Sequence, residues 1–266
     1  MLYPVIEKEL KKLLDEKIIL PLIYSQWIAN IVHVRKKNGE IRLCVDFRNL
    51  NKCSLKDNYT IPKMDLILQK VVGAKRTSFL DGYSGFDQIY VAEEDSEKTT
   101  FTIAWGTFMY AKMPFGLMNA DATFQRAMDI AFVGEREKFI VIYLDDVTVF
   151  SFLAEEQLHH LKQTFRKCRK YDISLNPNKS LFTMDKGKLL GHIVYANGVN
   201  IDPERVEAIQ RIEIPRHKKR VQSFQGKINF LRRFTPNFAE IIKPISNMLK
   251  KEVEIKWNSE TRLSFQ

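Results

Sequence analysis

The 266-residue sequence predicts an α+β fold: strands and helices mixed through about residue 195, then a helical stretch. Three observations predict this class. Short β-branched and aromatic runs such as Phe139–Leu144 and Val147–Phe150 recur in the first part. Segments with apolar residues at helical spacing lie between them. Beyond Asn197-Gly198 only the helical pattern remains, punctuated by Pro215, Pro236 and Pro244.

Each element follows from its own residues. Ile6, Leu10, Leu13 and Leu14 give residues 5–17 one apolar helical face. Ile28–Arg35 and Glu40–Phe47 read as strands. Asn38-Gly39 between them is a hairpin signal, because both residues tolerate positive φ. Pro62 opens a short helix over 63–72. Strands are expected near 77–80, 88–91, 99–104 and 107–111, and a helix over 118–132. Phe139–Leu144 and Val147–Phe150 form a hairpin across Asp145-Asp146. A helix over 155–171 and strands near 180–183 and 188–195 follow. Helices then cover 203–211, 217–232 and 241–250, and 255–265 begins a further element. The shift from a mixed to a helical pattern places a domain boundary near residue 200.

Composition narrows the function classes. No apolar run approaches the ~18 residues of a membrane span, and the charged helix after Met-Leu-Tyr-Pro is unlike a signal peptide. Cys44, Cys53 and Cys168 are scattered and odd in number, which argues against a disulfide framework and fits a reducing, intracellular setting. The net charge is +10. Residues 161–250 hold 19 basic and 7 acidic residues, against 23 and 25 elsewhere. A polyanion gripped by one region and acted on by carboxylates in another fits this asymmetry, and so does a solvated basic face.

Asp145-Asp146 is the most unusual local feature. Adjacent carboxylates on a hairpin flanked by apolar strands repel each other unless a cation sits between them. An acidic surface turn is the plain alternative. The largely apolar flanks favour a central hairpin of a packed sheet. Asp81 ends the strand-like Thr77–Leu80 and precedes a Gly-containing turn. If the two strands are neighbours, Asp81 and Asp145 share divalent ions. Carboxylate oxygens suit Mg²⁺, and two such ions about 3.5–4 Å apart support phosphoryl transfer.

These motifs, in this order, resemble the reverse transcriptases of gypsy-type LTR retrotransposons, in detail most like plant elements. Tyr143-Leu-Asp-Asp146 is similar to the family's Tyr-x-Asp-Asp box, and Phe79–Gln88 to its first catalytic motif. Met113–Gln125 is similar to the nucleotide-pocket motif, and Val34–Arg42 through Val45–Asn51 to the fingers hairpin. Leu189–Ile193 resembles the primer grip and Phe230–Phe238 the thumb.

The resemblance implies a right-hand polymerase: fingers and palm over 1–195, a helical thumb over 196–250, and the start of a truncated connection toward RNase H over 251–266. The palm is then an antiparallel sheet with helices on one side. Asp81, Asp145 and Asp146 match the metal-site carboxylates, and the backbone carbonyl of Gly82 a main-chain ligand, for two Mg²⁺ ions that Mn²⁺ can replace. Lys36 or Lys37, with Arg42, matches the cations that clamp the dNTP triphosphate; without the family match the lysines read as a solvated hairpin tip. Phe86 matches the residue that excludes a 2′-hydroxyl; without the family match it reads as a core aromatic. Phe115 and Gly116 lie against the incoming nucleotide, where retroviral enzymes tend to carry Gln at the first position. Leu190 and Gly191 fall in the primer grip, and His192 beside them reads as structural. Lys218, Lys219, Arg220, Arg232 and Arg233 hold the template–primer backbone. Two residues depart from the family pattern: Asp121 stands where Pro is usual, adding charge near the site, and Gly82 stands for a more usual Leu, loosening the strand.

The implied partners are an RNA or DNA template with its primer, dNTPs, and the protease, RNase H and integrase segments of a Pol polyprotein. Cytoplasmic virus-like particles or the nucleus are the implied compartments. The alternatives from other classes are a catalytically weakened remnant that only binds nucleic acid and a two-metal nuclease. The nuclease reading leaves the fingers cations and Phe86 without a purpose.

Overall fold

The computed structural model describes residues 3–35, 41–251 and 253–265, with the side chains of 33–35, 41 and 42 outside the description. Tyr3–Asp15 (α1) buries Leu10. Ile19–Pro21 (β1), Ile31–Arg35 (β2) and Ile41–Val45 (β3) follow, and β2 pairs antiparallel with β3 from Ile31↔Val45 to Arg35↔Ile41. The expected hairpin is therefore present, and its Asn38-Gly39 tip lies outside the described residues. Arg48–Cys53 (α2) and Met64–Val71 (α3) precede Arg76–Gly82 (β4). Next come Glu93–Ser96 (α4), Phe101–Ile103 (β5) and Gly106–Tyr110 (β6). Ala120–Ala131 (α5), Ile140–Tyr143 (β7), Asp146–Ser151 (β8) and Gln157–Lys170 (α6) form the next run. Leu175–Met184 (β9), Lys186–Leu189 (β10), His192–Tyr195 (β11) and Gly198–Ile201 (β12) complete the strands. Pro203–Gln210 (α7), Lys218–Ile228 (α8), Phe238–Asn247 (α9) and Ser259–Phe265 (α10) end the chain.

The sheet that matters for function has the order β7-β8-β4-β9, with its pairings antiparallel. Side chains alternate across it. Leu80, Ile140, Ile142, Val147 and Val149 share one face, where they join Phe124 and Met128 of α5 and Leu161 and Cys168 of α6 in one buried cluster. α5 and α6 thus cover one face of the sheet. The hairpin is not wholly central, since β7 is an edge strand, and its apolar run reflects the packing of α3 and α5 against it.

The strand expected at 88–91 is reduced to a single antiparallel bridge, Tyr90↔Lys112. Ser84 takes a left-handed φ of 48° and Gly85–Gln88 closes a 3₁₀ turn. The Gln88 amide ties that turn to the Ser174 carbonyl and accepts from the Ser174 N–H. The strand expected over 188–195 is two strands, β10 and β11, parted by Leu190-Gly191.

The chain divides into two compact units, Met1–Gly187 with Tyr195–Gly198, and Lys188–Val194 with Val199–Gln266. The second unit is built on Val221, Phe224, Ile228, Ile245 and Met248, with Trp257 and Phe265 packed against them. Pro244 lies inside α9 rather than ending it. Proline removes a hydrogen bond from a helix interior, and burial of Ile245 and Met248 offsets that loss. The Trp257 indole donates to the Pro215 carbonyl at 2.8 Å. Among the described residues no helix is long and apolar enough to cross a membrane, and Cys44, Cys53 and Cys168 are free thiols.

Candidate active site

The sheet brings the predicted carboxylates to one end. Asp81 on β4 is the direct antiparallel partner of Asp146 on β8. Directly opposed residues share a face, with Cβ atoms about 4.5–5.5 Å apart. Leu80 and Val147, one step back, point into the α5–α6 cluster. Asp81 and Asp146 therefore face the other way. Asp145 lies in the two-residue turn between Tyr143 and Asp146. Leu144 takes a φ of 52° there, a conformation that costs a branched residue about 1–2 kcal/mol. Its N–H donates to Gln125 Oε1 at 2.9 Å, and Gln125 is fully buried in α5. The N–H of Gly82 donates to the Asp145 carbonyl at 3.0 Å, tying the end of β4 to the turn. β4 stays paired through Gly82↔Leu175, so Gly82 does not interrupt it.

The Asp145 carboxylate lies against Gly85. A Cβ at that position would overlap Oδ1 and come within 3.0 Å of Cγ. Oδ1 is buried and accepts no hydrogen bond. Burial, and after it the charges of Asp146, Asp81 and Asp121, push the Asp145 carboxyl up to about 6, with Lys179 opposing. Partial burial and then Asp81 raise the Asp146 carboxyl as well. Asp121 acts as its position suggested, adding negative potential at the site. Lys179 Nζ lies 3.3 Å from Asp81 Oδ2, and both groups are partly solvated.

The donor set suits a hard cation. Two carboxyls raised by burial and mutual repulsion and an orphaned buried oxygen are what a divalent ion would neutralise. Among the described residues no three acids, histidines or cysteines are gathered as ready metal ligands, and Asp81 is drawn toward Lys179. Binding an ion here needs side-chain rotation of Asp81 away from that lysine, which an exposed ion pair opposes only weakly.

Beside the carboxylates, Phe86 is 5% exposed and sits in the α5–α6 cluster. Its ring meets Phe124 at 5.4 Å and Phe115 at 4.8 Å between centroids, edge to face. Phe115, in contact with the buried ring of Phe86, is 39% exposed. Gly116 has a φ of 97°, open to glycine at little cost. Asn51 of α2 holds this loop, donating to the Gly116 carbonyl and accepting from the Met118 N–H, both at 2.8 Å. Asn119 is fixed in turn by the Leu55 carbonyl and the Asp57 N–H. Lys36 and Lys37 lie outside the described residues. Arg42 is described only by its backbone, paired with Val34 in β3.

In the second unit, Leu190 (φ 50°) and Gly191 (φ 78°) form a left-handed two-residue turn between β10 and β11. Its neighbour His192 is buried between the rings of Phe234 and Phe230 and bonds the Leu190 carbonyl through Nδ1, the structural role expected of it. Lys218, Lys219, Arg220, Arg232 and Arg233 are exposed, and Lys218 also donates to the Lys250 carbonyl.

The basic surplus is not confined to this unit. Residues 161–200 hold 8 basic and 2 acidic residues, and 201–250 hold 11 and 5, so each half carries +6. Five of the first group, Lys162, Arg166, Lys167, Arg169 and Lys170, are on α6. That helix packs on the sheet face opposite Asp81 and Asp146.

Sequence reasoning missed Gln125, Gly85, Asn51 and Lys179. Gln125 and Gly85 stand inside segments quoted for other residues. A polar residue among Ala122, Phe124 and Met128 is a signal that a buried partner waits for it. Lys179 had no local signal.

The family model described as reverse transcriptase (RNA-dependent DNA polymerase) matches residues 34–194. The retrovirus-related Pol polyprotein from transposon 412 of Drosophila melanogaster is 34% identical over 266 residues, covering 98% of this chain and 21% of that protein. The corresponding polyprotein from transposon gypsy of the same fly is also 34% identical, with 98% and 27% covered. The chain thus spans about a quarter or less of these relatives. Among solved structures, a foamy viral protease-reverse transcriptase in complex with double-stranded DNA is 26% identical, with a TM-score of 0.90 over 98% of this chain and 46% of that one. The foamy viral enzyme in complex with an RNA/DNA hybrid gives 0.85 at the same identity, over 98% and 35%.

Proposed function

The chain belongs to the reverse transcriptase family, with that family's right-hand polymerase fold, and from this premise we propose that it is the polymerase core of a retrotransposon Pol polyprotein, copying RNA or DNA templates into DNA. The observation that carries the reading is the end of the β4–β8 pair, where Asp81 opposes Asp146 and the buried Asp145 oxygen is left without a partner. In this reading fingers and palm extend to about residue 195, the thumb runs over 196–250, and 251–266 lead toward RNase H.

Asp81, Asp145, Asp146 and the Gly82 carbonyl would hold two Mg²⁺ ions, with Mn²⁺ as a substitute. Such ions supply charge stabilisation to the attacking and leaving oxygens of an in-line displacement. The primer 3′-oxygen bonds to the α-phosphorus of a dNTP, the bond to the β-phosphate oxygen breaks, and pyrophosphate leaves. The chain's own part is positioning. Phe86, backed by Phe124, walls off the sugar 2′ side. Phe115 and Gly116 carry the nucleotide on a loop held by Asn51. Lys36, Lys37 and Arg42 are the residues to meet the triphosphate. Leu190 and Gly191 would hold the primer, and Lys218, Lys219, Arg220, Arg232 and Arg233 the backbone phosphates. The protease, RNase H and integrase segments are the expected partners within the polyprotein. A cytoplasmic particle or the nucleus is the expected place of work.

The test is extension of a DNA primer on an RNA template by the purified chain. Extension that requires Mg²⁺ supports the reading. Template–primer binding with no extension under Mg²⁺ or Mn²⁺ leaves a nucleic-acid-binding fold, and cleavage of a hybrid without dNTPs makes it a nuclease.

A further inference from the structure

A chain of buried polar contacts runs from the catalytic turn to the segment between α2 and α3. Gln125 accepts from the Leu144 N–H at 2.9 Å through Oε1. Its Nε2 donates to Asp129 Oδ1 at 3.1 Å. Asp129, one turn further along α5 and 7% exposed, accepts from the Tyr59 hydroxyl at 2.7 Å and pairs with Arg136 at 2.7 Å. Tyr59 is attached to α5 a second time: Arg126 stacks 4.7 Å from its ring and pairs with Asp57 at 2.6 Å. Asp57 also accepts from the Tyr59 N–H at 2.9 Å.

An amide buried in an apolar cluster is costly unless its atoms are bonded. A leucine held left-handed needs something that over-determines it. Both conditions meet in the Gln125–Leu144 bond, one residue from Asp145. The segment around Asn51–Tyr59 also fixes the Gly116–Asn119 loop through Asn51, Leu55 and Asp57. The turn that carries Asp145 and the loop that carries Phe115 are therefore referenced to one stretch of chain.

We propose that Gln125 is a positioning residue, and that the strut Tyr59–Asp129–Gln125–Leu144 couples the catalytic turn to the segment joining α2 and α3. It rests on the polymerase reading for its functional part. A core amide with no such coupling would affect stability alone. The strut instead governs where the Asp145 carboxylate stands, so its loss lowers turnover without releasing substrates.

The experiment compares the wild type with Gln125→Met, Tyr59→Phe and the pair Gln125→Glu/Asp129→Asn, by hydrogen exchange at the Leu144 amide and by primer extension. Gln125→Met keeps the volume and removes the bonds. It is expected to expose the Leu144 amide to exchange and to lower kcat about 10- to 100-fold, as supporting partners of site residues do. Template–primer Kd and dNTP KM should stay within about twofold, the mark of an interaction used only in the transition state. Tyr59→Phe removes a single hydroxyl at the far end and should raise exchange at Leu144 and lower kcat several-fold. The paired variant reverses donor and acceptor between positions 125 and 129 at constant net charge, while losing the donation from Gln125 Nε2 to the Ile142 carbonyl, and should restore part of the protection and turnover lost in Gln125→Met. Unchanged Leu144 exchange in folded Tyr59→Phe overturns the coupling, even if Gln125→Met does not fold. Unchanged kcat in an active, folded Gln125→Met overturns the positioning role. If the wild type extends no primer, the polymerase reading fails, and exchange at Leu144 still decides whether the strut exists.

Discussion

Two turns of this chain begin with a left-handed leucine and are built differently. Leu190-Gly191 joins β10 to β11, and the glycine takes the second left-handed position at little cost. Leu144-Asp145 joins β7 to β8 and has no glycine. An aspartate occupies the second place, a buried glutamine pins the leucine amide, and a glycine from another loop, Gly85, clears the space beside the carboxylate. The first turn meets its backbone demand with a glycine. The second accepts strain, a buried amide and an unpartnered oxygen in order to present a charge. Where a fold departs from the easy solution at a turn, chemistry is the first reason to suspect.

The largest effect expected from breaking this contrast comes at Asp145. Asp145→Asn should lower primer extension by about 10³-fold or more, as removal of a group that stabilises transition-state charge does, while template–primer binding holds or tightens. The same change should stabilise the protein at pH 7. The Asp145 carboxyl is raised to about 6, above its unfolded value. Its folded state therefore holds a proton that the unfolded chain releases, and stability falls as pH rises through about 6. After allowance for partial solvation the gain in Asp145→Asn is about 1 kcal/mol at pH 7, fading by about pH 4. Melting curves across that range check the sign, and a variant less stable than wild type at pH 7 refutes it.

Gly85→Ala ranks next. The added Cβ must displace the Asp145 carboxylate, and a shift of about 1 Å can cost about 10²-fold in rate. Gly191→Ala meets a movable Arg205 guanidinium instead. It should cost about 1 kcal/mol from the disallowed φ, seen in the melting temperature and in template–primer Kd. Equal losses of kcat from the two glycines would erase the contrast.

The strand ends, the acidic hairpin and the helical second unit were legible because each is written in local pattern. The unit boundary inside 188–198 was not, because β10 and β11 pair across a turn that looks like one strand in sequence. Gln125 and Gly85 sat in quoted motifs without a role, since their partners are 19 and 60 residues away. The charge surplus was legible as a sum and misleading as a location. Half of it precedes residue 201, mostly on α6, on the sheet face opposite Asp81 and Asp146.

Two smaller effects sharpen the picture. Phe86→Val opens space beside Phe115, and the kcat/KM ratio for rNTP over dNTP should rise about tenfold or more. An unchanged ratio in an active variant returns Phe86 to a packing role. Replacing Arg232 and Arg233 with Gln should reduce a wild-type log–log salt slope of about −3 to −5 by up to about 2. Replacing Arg166 and Arg169 of α6 should change it by less than about 0.5, since they face away from the carboxylates. A larger α6 effect would move the nucleic acid to the other side of the sheet.

The central claim is the proposal that Asp81, Asp145 and Asp146 form one cation site once Asp81 turns from Lys179. Its most direct test is a ¹³C NMR titration of the Asp145 carboxyl in the intact chain, with and without Mg²⁺. The account predicts a transition near pH 6 in the absence of the ion and a displacement to lower pH when Mg²⁺ is added. A transition in the ordinary carboxylate range of about 4, unmoved by Mg²⁺, would contradict it.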